Sequence, residues 1–345
     1  MYKRLPLPPH YDRSKADQLY RVPYQSLADA ARNWARHHAM KPASADDSKI
    51  AFIAVDIQNA FCLPDFELFV GGHSGMGAVE DTQRLTEFIY TNLGRLNRIF
   101  CSMDTHQAMQ IFHGLFFTDA NGNAPPPHTV ITAQSVKEGR WRVRDDVARS
   151  LGYTPEYTQS HLNHYVQTLS ESDKYELTVW PYHALLGGVS HALVPLFEEA
   201  VFFHTVARYS QPEMLIKGSH PLTEHYSILG PEVDTDAQGN ILVNDGRQWV
   251  ERLKNFDAIL IAGQAKSHCM AWTIDDMLSA MQAIAPEMVS RVYILEDCTT
   301  PVVIPGVVDY TEAAEAAFSR FKAAGMHMVS TAVPISDWPD FPVDL

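Results

Sequence analysis

Residues 49–57 read KIAFIAVDI, and this stretch decides the fold. The run is apolar, β-branched and continuous rather than alternating, the pattern of a strand covered on both faces in a parallel sheet. Working outward, the same pattern returns in RIFCSMD (98–104), AVFFHTVA (200–207), FDAILIAG (256–263), SRVYILED (290–297) and MHMVST (326–331). Helical periodicity fills the intervals at 78–96, 268–285 and 311–325, the last stopping at Gly325. Alternating strands and helices imply right-handed crossovers, so the chain is expected to form a three-layer α/β/α domain around a six-stranded parallel sheet. Residues 1–48 are polar and proline-rich, with one helical patch at 27–39, and read as an N-terminal extension that wraps or caps a domain at 49–345. A long insertion at about 114–178 is expected to be a lid or an oligomer contact, and a homo-oligomer is the expected state. Residues 219–248 read as a polar loop. Within it, Asp234, Asp236, Gln238, Gly239, Asn240 and Asp245 resemble an EF-hand loop. Gln238 stands at its fifth position, the last acid is Asp rather than Glu, and flanking helices are not evident, so a surface turn is expected.

The 345 residues are 46% hydrophobic and 20% charged, ample for a core, and the formal net charge is -14. That balance argues against nucleic acid and anionic membrane surfaces, which select basic patches, and favours a small-molecule partner. The four cysteines form no C-x-x-C pair and suit a reducing compartment. The first residues lack an apolar core of the kind that targets secretion, and no apolar stretch is long enough to span a bilayer. The cytoplasm is the expected location.

In open α/β sheets, ligands gather at the carboxyl ends of the strands. Asp56 ends the first run, Asp104 ends the second with His106 just beyond, EMLIKG (213–218) presents Lys217, and Cys269 opens the helix after the fourth. A cysteine alone is more often a buried, inert side chain. Here it is expected at a helix N-terminus, where the macrodipole and a neighbouring lysine favour a thiolate, and where N–H groups could hold an oxyanion. A lysine beside Asp56 would also favour the ionised carboxylate. Asp104 and His106, with His113 and His183 as further donors, suit Zn²⁺, Fe²⁺ or Mn²⁺, although D-x-H by itself is weak among 16 histidines.

Five blocks then occur in one order: AVDIQNAFC (54–62), SMDTH (102–106), VWPYH (179–183), IKG (216–218) and IAGQAKSHC (261–269). On these the chain resembles the nicotinamidases of the isochorismatase-like cysteine hydrolase superfamily. The resemblance implies an isochorismatase-like domain with Rossmann-like strand order. It implies Asp56, Lys217 and Cys269 as a catalytic triad, and Asp104, His106 and His183 as ligands of a divalent metal. His113 lies one residue beyond a fourth histidine of some members. The resemblance also implies Phe61 and Trp180 gripping a nicotinamide-like ring, Gln58 as a polar group of the substrate site, Ala265 and Cys269 as backbone donors of an oxyanion hole, and a cis peptide at Gln264–Ala265. The implied reaction is hydrolysis of nicotinamide, or a related heteroaromatic amide, to the acid and ammonia through a thioester. The alternatives are a carbamoyl- or maleamate-type amide, a binding protein without catalysis, or a metallohydrolase in which the cysteine is incidental. Ala60, Lys266 and Ser267 depart from the family pattern, as does the long gap between D-x-H and W-P-x-H.

Overall fold

The computed structural model describes residues 4–172, 174–243 and 246–342. Its centre is a sheet of β1 (Ile50–Val55), β2 (Arg98–Asp104), β3 (Glu213–Lys217), β4 (Ala258–Gly263), β5 (Val292–Leu295) and β6 (His327–Val329). All pairings are parallel, in the order β3-β2-β1-β4-β5-β6. This is the doubly wound, Rossmann-like order. It reverses between β1 and β4, which places the ligand crevice beyond their carboxyl ends.

The principal helices are α1 (Tyr24–His37), α2 (Gly77–Thr91), α3 (Pro155–Ser170), α4 (Pro195–Arg208), α5 (Ala271–Ile284) and α6 (Thr311–Ala323). β1 shows why its apolar run is unbroken. Ile50, Phe52 and Ala54 join a core with Leu27 of α1, Phe88 of α2 and Phe197 of α4. Ala51, Ile53 and Val55 point the other way, into a core with Leu162 of α3, Ile274 of α5 and Phe321 of α6. With both faces covered, neither set of alternate positions can be polar.

The run 200–207, expected as the third strand, lies inside α4. Leu196, Phe197, Ala200, Val201, Phe203 and Ala207 are all buried there, and the helix packs against both α1 and α2. A helix covered on several sides loses its polar stripe and reads like a buried strand. The third strand is instead β3, an edge strand with Met214 and Ile216 exposed. The expected helix at 268–285 also begins late: Lys266–Met270 form a π turn that feeds into α5. Among the described residues, no helix is long and apolar enough to cross a membrane.

The 114–178 insertion brings α3 and two small antiparallel pairs, Phe117–Thr118 with Arg142–Val143 and Val130–Ile131 with Leu177–Thr178. Phe116, Phe117, Ile131, Val143 and Tyr165 share the core of Ile53 and Val55, so the insertion is built into that layer. In the acidic turn, Asp236 accepts hydrogen bonds from the backbone N–H groups of Gln238 and Asn240, both at 2.9 Å, and from Tyr157 Oη at 2.9 Å. Its carboxylate closes a turn whose tip, 237–240, is exposed. Asp245 lies outside the described residues.

The segment after β3 folds back over the sheet edge and buries acids. Glu232 has a side chain 2% exposed, with Lys174 Nζ at 3.5 Å. Burial pushes its carboxyl up to about 7 from 4.5, with Lys174 opposing. The native state therefore holds this proton more tightly than the unfolded chain does. The corresponding stability is present in full below 4.5 and is lost as the pH rises through about 7. Glu232→Gln should remove that loss: relative to the parent chain it should gain about 2–3 kcal/mol between acid and mildly alkaline pH. Urea denaturation at several pH values checks this, and a difference that does not change with pH contradicts it.

Candidate active site

Four strand ends converge beyond the sheet. β1 delivers Asp56, which is fully buried and held at φ 50, a conformation uncommon for a residue with a side chain. Its N–H donates to Ser102 Oγ at 3.0 Å, and the Ser102 hydroxyl donates back to Asp56 Oδ1. β3 delivers Lys217, whose Nζ stands 3.0 Å from Asp56 Oδ2, 2.9 Å from Asp104 Oδ1 and 3.6 Å from Cys269 Sγ. A fourth contact, to the His225 carbonyl at 2.9 Å, completes its shell. Lys217 Nζ thus stands between the Cys269 sulfur and the Asp56 carboxylate. Gly218 follows Lys217 at φ +79, and a Cβ there would lie 2.8 Å from both Asp104 Oδ1 and His106 Cε1. Only glycine lets the chain pass so close to these groups.

Burial alone would discharge Lys217, but Asp104 and Asp56 outweigh it and hold the ammonium firmly protonated. Burial pushes Asp56 up despite Lys217. It also pushes the Cys269 thiol well up; Lys217 opposes this, while Asp56 and Asp104 reinforce it. The sequence expectation of a resting thiolate is therefore reversed, while Asp56, although pushed up, is the base beside the sulfur. Lys217 sits closer to two carboxylates than to the sulfur, and Cys269 lies in the π turn rather than in the first turn of an α-helix. The sulfur keeps its proton, and Asp56 is the neighbouring acceptor for it.

Asp104, His106 and His183 form one buried cluster, with a donor atom of each within 4.8 Å of the others. His106 Nε2 is 2.8 Å and His183 Nε2 3.7 Å from Asp104 Oδ2. The far nitrogens are already committed. His106 Nδ1 lies 3.1 Å from the Gly218 carbonyl, His183 Nδ1 2.8 Å from that of Pro181, and His113 Nδ1 3.0 Å from that of Gln107. A carbonyl only accepts, so each Nδ1 carries its proton. Each Nε2 is then the nitrogen turned toward the cluster, as in metal-binding histidines; His106 Nε2 donates to Asp104 Oδ2, a proton that a metal ion would replace. Two lone-pair donors beside a carboxylate need a cation or a proton among them, so the residues fit a divalent ion. His113 Nε2 is buried without a hydrogen-bond partner, and its ring centroid lies 6.0 Å from those of both His106 and His183. It faces the cluster without belonging to it.

The cluster and Cys269 open into a cavity of about 310 Å³, lined also by Phe61, Trp180 and Ala265. Gln58 departs from expectation. It is fully buried, its Oε1 accepting from Asp104 N at 2.7 Å and its Nε2 donating to the carbonyls of Asp104 and His191. It braces the metal cluster from behind and is not part of the cavity wall. The Gln264–Ala265 peptide is cis. Asp81 of α2, which sequence reasoning passed over, anchors this turn. Its carboxylate accepts from Gln264 Nε2 at 2.8 Å, Thr300 Oγ1 at 2.6 Å and Arg84 at 2.8 Å. Glu224, Tyr226, His128 and His268 also line the cavity and were not anticipated. Glu224 is pushed up to about 8 by burial, and Asp104 adds to the shift. His268 is driven down to about 3 by burial. Glu224, Tyr226 and His128 come from loops distant in the chain from Cys269, whereas His268 directly precedes it in the block 261–269.

The cluster predicts metal retention. Protein loaded with Zn²⁺ and dialysed should keep the ion, while His106→Ala and His183→Ala should each weaken it by more than the ~10–100-fold typical of residues that only orient ligands. Elemental analysis after dialysis reads the outcome, and full retention by both variants would reject the site.

No protein-family model and no curated protein matches this sequence. Solved structures do. The yeast nicotinamidase bound to the inhibitor nicotinaldehyde aligns at 18% identity and a TM-score of 0.50, over 81% of this chain and 99% of that one. An Acinetobacter baumanii nicotinamidase aligns at 16% and 0.48, over 83% and 98%. A Pyrococcus horikoshii pyrazinamidase in complex with zinc aligns at 17% and 0.42, over 82% and 99%. At such identities the likeness is one of fold, and this chain has the isochorismatase-like α/β fold.

Proposed function

We propose that the chain is a cysteine amidohydrolase acting on a small, neutral heteroaromatic amide, with nicotinamide as the reference substrate. The carrying observation is that Lys217 Nζ lies 3.0 Å from Asp56 and 3.6 Å from Cys269 Sγ, with Cys269 lining the cavity. The yeast structure of the same fold is a nicotinamidase, which guides the choice of reference amide.

Asp56 takes the thiol proton as Cys269 Sγ bonds to the amide carbon. The backbone N–H groups of Ala265 and Cys269 receive the oxyanion. As the tetrahedral adduct collapses, the C–N bond breaks and Asp56 returns its proton to the nitrogen, releasing ammonia. Asp56 then accepts a proton from water as the oxygen attacks the thioester. The C–S bond breaks, the acid leaves and the sulfur is reprotonated. Lys217 keeps its charge throughout and balances Asp56 whenever that group is ionised. A divalent ion held by Asp104, His106 and His183 would supply a Lewis-acidic point that binds a substrate heteroatom. Phe61 and Trp180 present aromatic faces to the cavity.

Charge favours a neutral amide over maleamate or a carbamoyl acid. Glu67 and Asp104 line the cavity as carboxylates, and among the described residues no lysine or arginine does. Apart from the ion that the cluster would hold, a substrate carboxylate would meet no cationic lysine or arginine of this lining.

Metal-loaded protein should release ammonia from nicotinamide. Cys269→Ala should lower turnover at least ~10³-fold while retaining the ion. Near-normal turnover by that variant would exclude the nucleophile. Asp81→Asn should lower kcat about tenfold with little change in KM, because Asp81 holds the turn carrying one oxyanion donor and is not itself in the cavity wall. A change confined to KM would contradict that role.

A further inference from the structure

We infer that the cavity is a two-part site whose outer half takes an apolar arm on the amide, so that the preferred substrate is larger than a single-ring carboxamide. This rests on the reading above and specifies its substrate class. The volume of about 310 Å³ falls in the range of pockets that enclose drug-sized ligands, ~300–1,000 Å³. The lining is of two kinds. Cys269, Asp104 and His183 make up the reactive part. The remaining lining includes Phe66, Leu68 and Phe69 from one loop and Val302, Val303 and Ile304 from another. All six of these apolar side chains are only partly buried. They leave apolar surface in water beside the reaction centre, and an apolar group entering the cavity would cover it.

Both walls are tied to the catalytic half. On one side, Val70 N donates to the Phe61 carbonyl at 2.9 Å, which joins the Phe66–Phe69 loop to the ring-gripping residue. On the other, Val302 N donates to Ser267 Oγ at 3.1 Å, two residues before Cys269, and Tyr310 N closes on the Val302 carbonyl at 3.0 Å. Val303–Ile304 then pair antiparallel with Val308–Asp309. The apolar half is thus a formed surface held in register with the nucleophile. Its one charge is Glu67, which is exposed. An anionic arm meets a carboxylate there and no cation, so the arm is neutral. Amides carrying a phosphate or carboxylate tail are refused.

The experiment compares nicotinamide with nicotinamides bearing methyl, propyl or phenyl at ring position 5 or 6, with para-substituted benzamides, and with a matching carboxymethyl amide. In at least one series kcat/KM should rise about fourfold for each covered methylene, and the carboxymethyl amide should fall below the unsubstituted one. Leu68→Asp and Ile304→Asp should lower kcat/KM for the armed amide at least tenfold more than for nicotinamide. Calorimetric binding of the same amides to Cys269→Ala protein provides a readout that needs no turnover, and the armed amide should bind more tightly there too. If every arm weakens both turnover and binding, the inference is overturned while the amidase reading stands. If armed amides bind more tightly but none is hydrolysed, the amidase reading fails and the two-part site stands.

Discussion

One buried ammonium holds the site together. Lys217 is the cation set between the Asp56 and Asp104 carboxylates, both almost fully buried. Two such carboxylates without it would repel across a medium that screens poorly, and the desolvation cost of each would go unmet. With it, Asp104 stays well below the ordinary carboxylate range, because His106 and Lys217 together overcome the effect of burial. Asp56, which has Lys217 but no histidine beside it, is left higher than usual. The asymmetry separates the roles of two acids that sit on the same lysine: Asp104 remains an anion fit to ligate, and Asp56 becomes a group that can gain and lose a proton.

The sheet topology makes that meeting possible. β1 and β4 flank the point where strand order reverses, so Asp56 and the Cys269 turn diverge around an opening, while β2 and β3 bring Asp104 and Lys217 in from one side. The approach is tight enough to dictate residue type. At Gly263, on the last turn of β4, a Cβ would lie 2.0 Å from the Val55 carbonyl. Here and at Gly218 the glycine is a condition for bringing backbone and side chains from different strands within contact distance.

Much of this was legible in the sequence, for physical reasons. A strand buried on both faces writes itself as an apolar run, and a costly acid at its end stands out, so β1 with Asp56 and β2 with Asp104 could be read directly. The sheet order and the cluster of Asp104, His106 and His183 followed the five ordered blocks. The errors have causes as well. α4 is covered on several sides and imitates a strand, although Pro195 in its first turn was a helix-start signal. β3 lies at the edge, with Met214 and Ile216 of its five side chains exposed, and carries too little apolar signal to be seen as a strand. The resemblance implied Gln58 as a polar group of the substrate site. Its amide instead satisfies the backbone of Asp104, a demand visible only in three dimensions.

The resting state of the sulfur is the point on which sequence reasoning and geometry differ most. A cysteine opening a helix next to a lysine suggests a preformed thiolate. Burial without a dedicated cation argues the reverse, and the distances decide between them, since Nζ is closer to both carboxylates than to Sγ. A protonated thiol beside a carboxylate pushed up from its usual range is a donor set next to a strengthened base, because the rise at Asp56 makes it a better proton acceptor. Asp104 extends the coupling. One of its oxygens meets Lys217 and the other meets His106, so a single carboxylate belongs to the charge balance of the sulfur and to the donor set of the cluster. Nucleophile and metal site therefore share one carboxylate, and a change of charge at Asp104 reaches both.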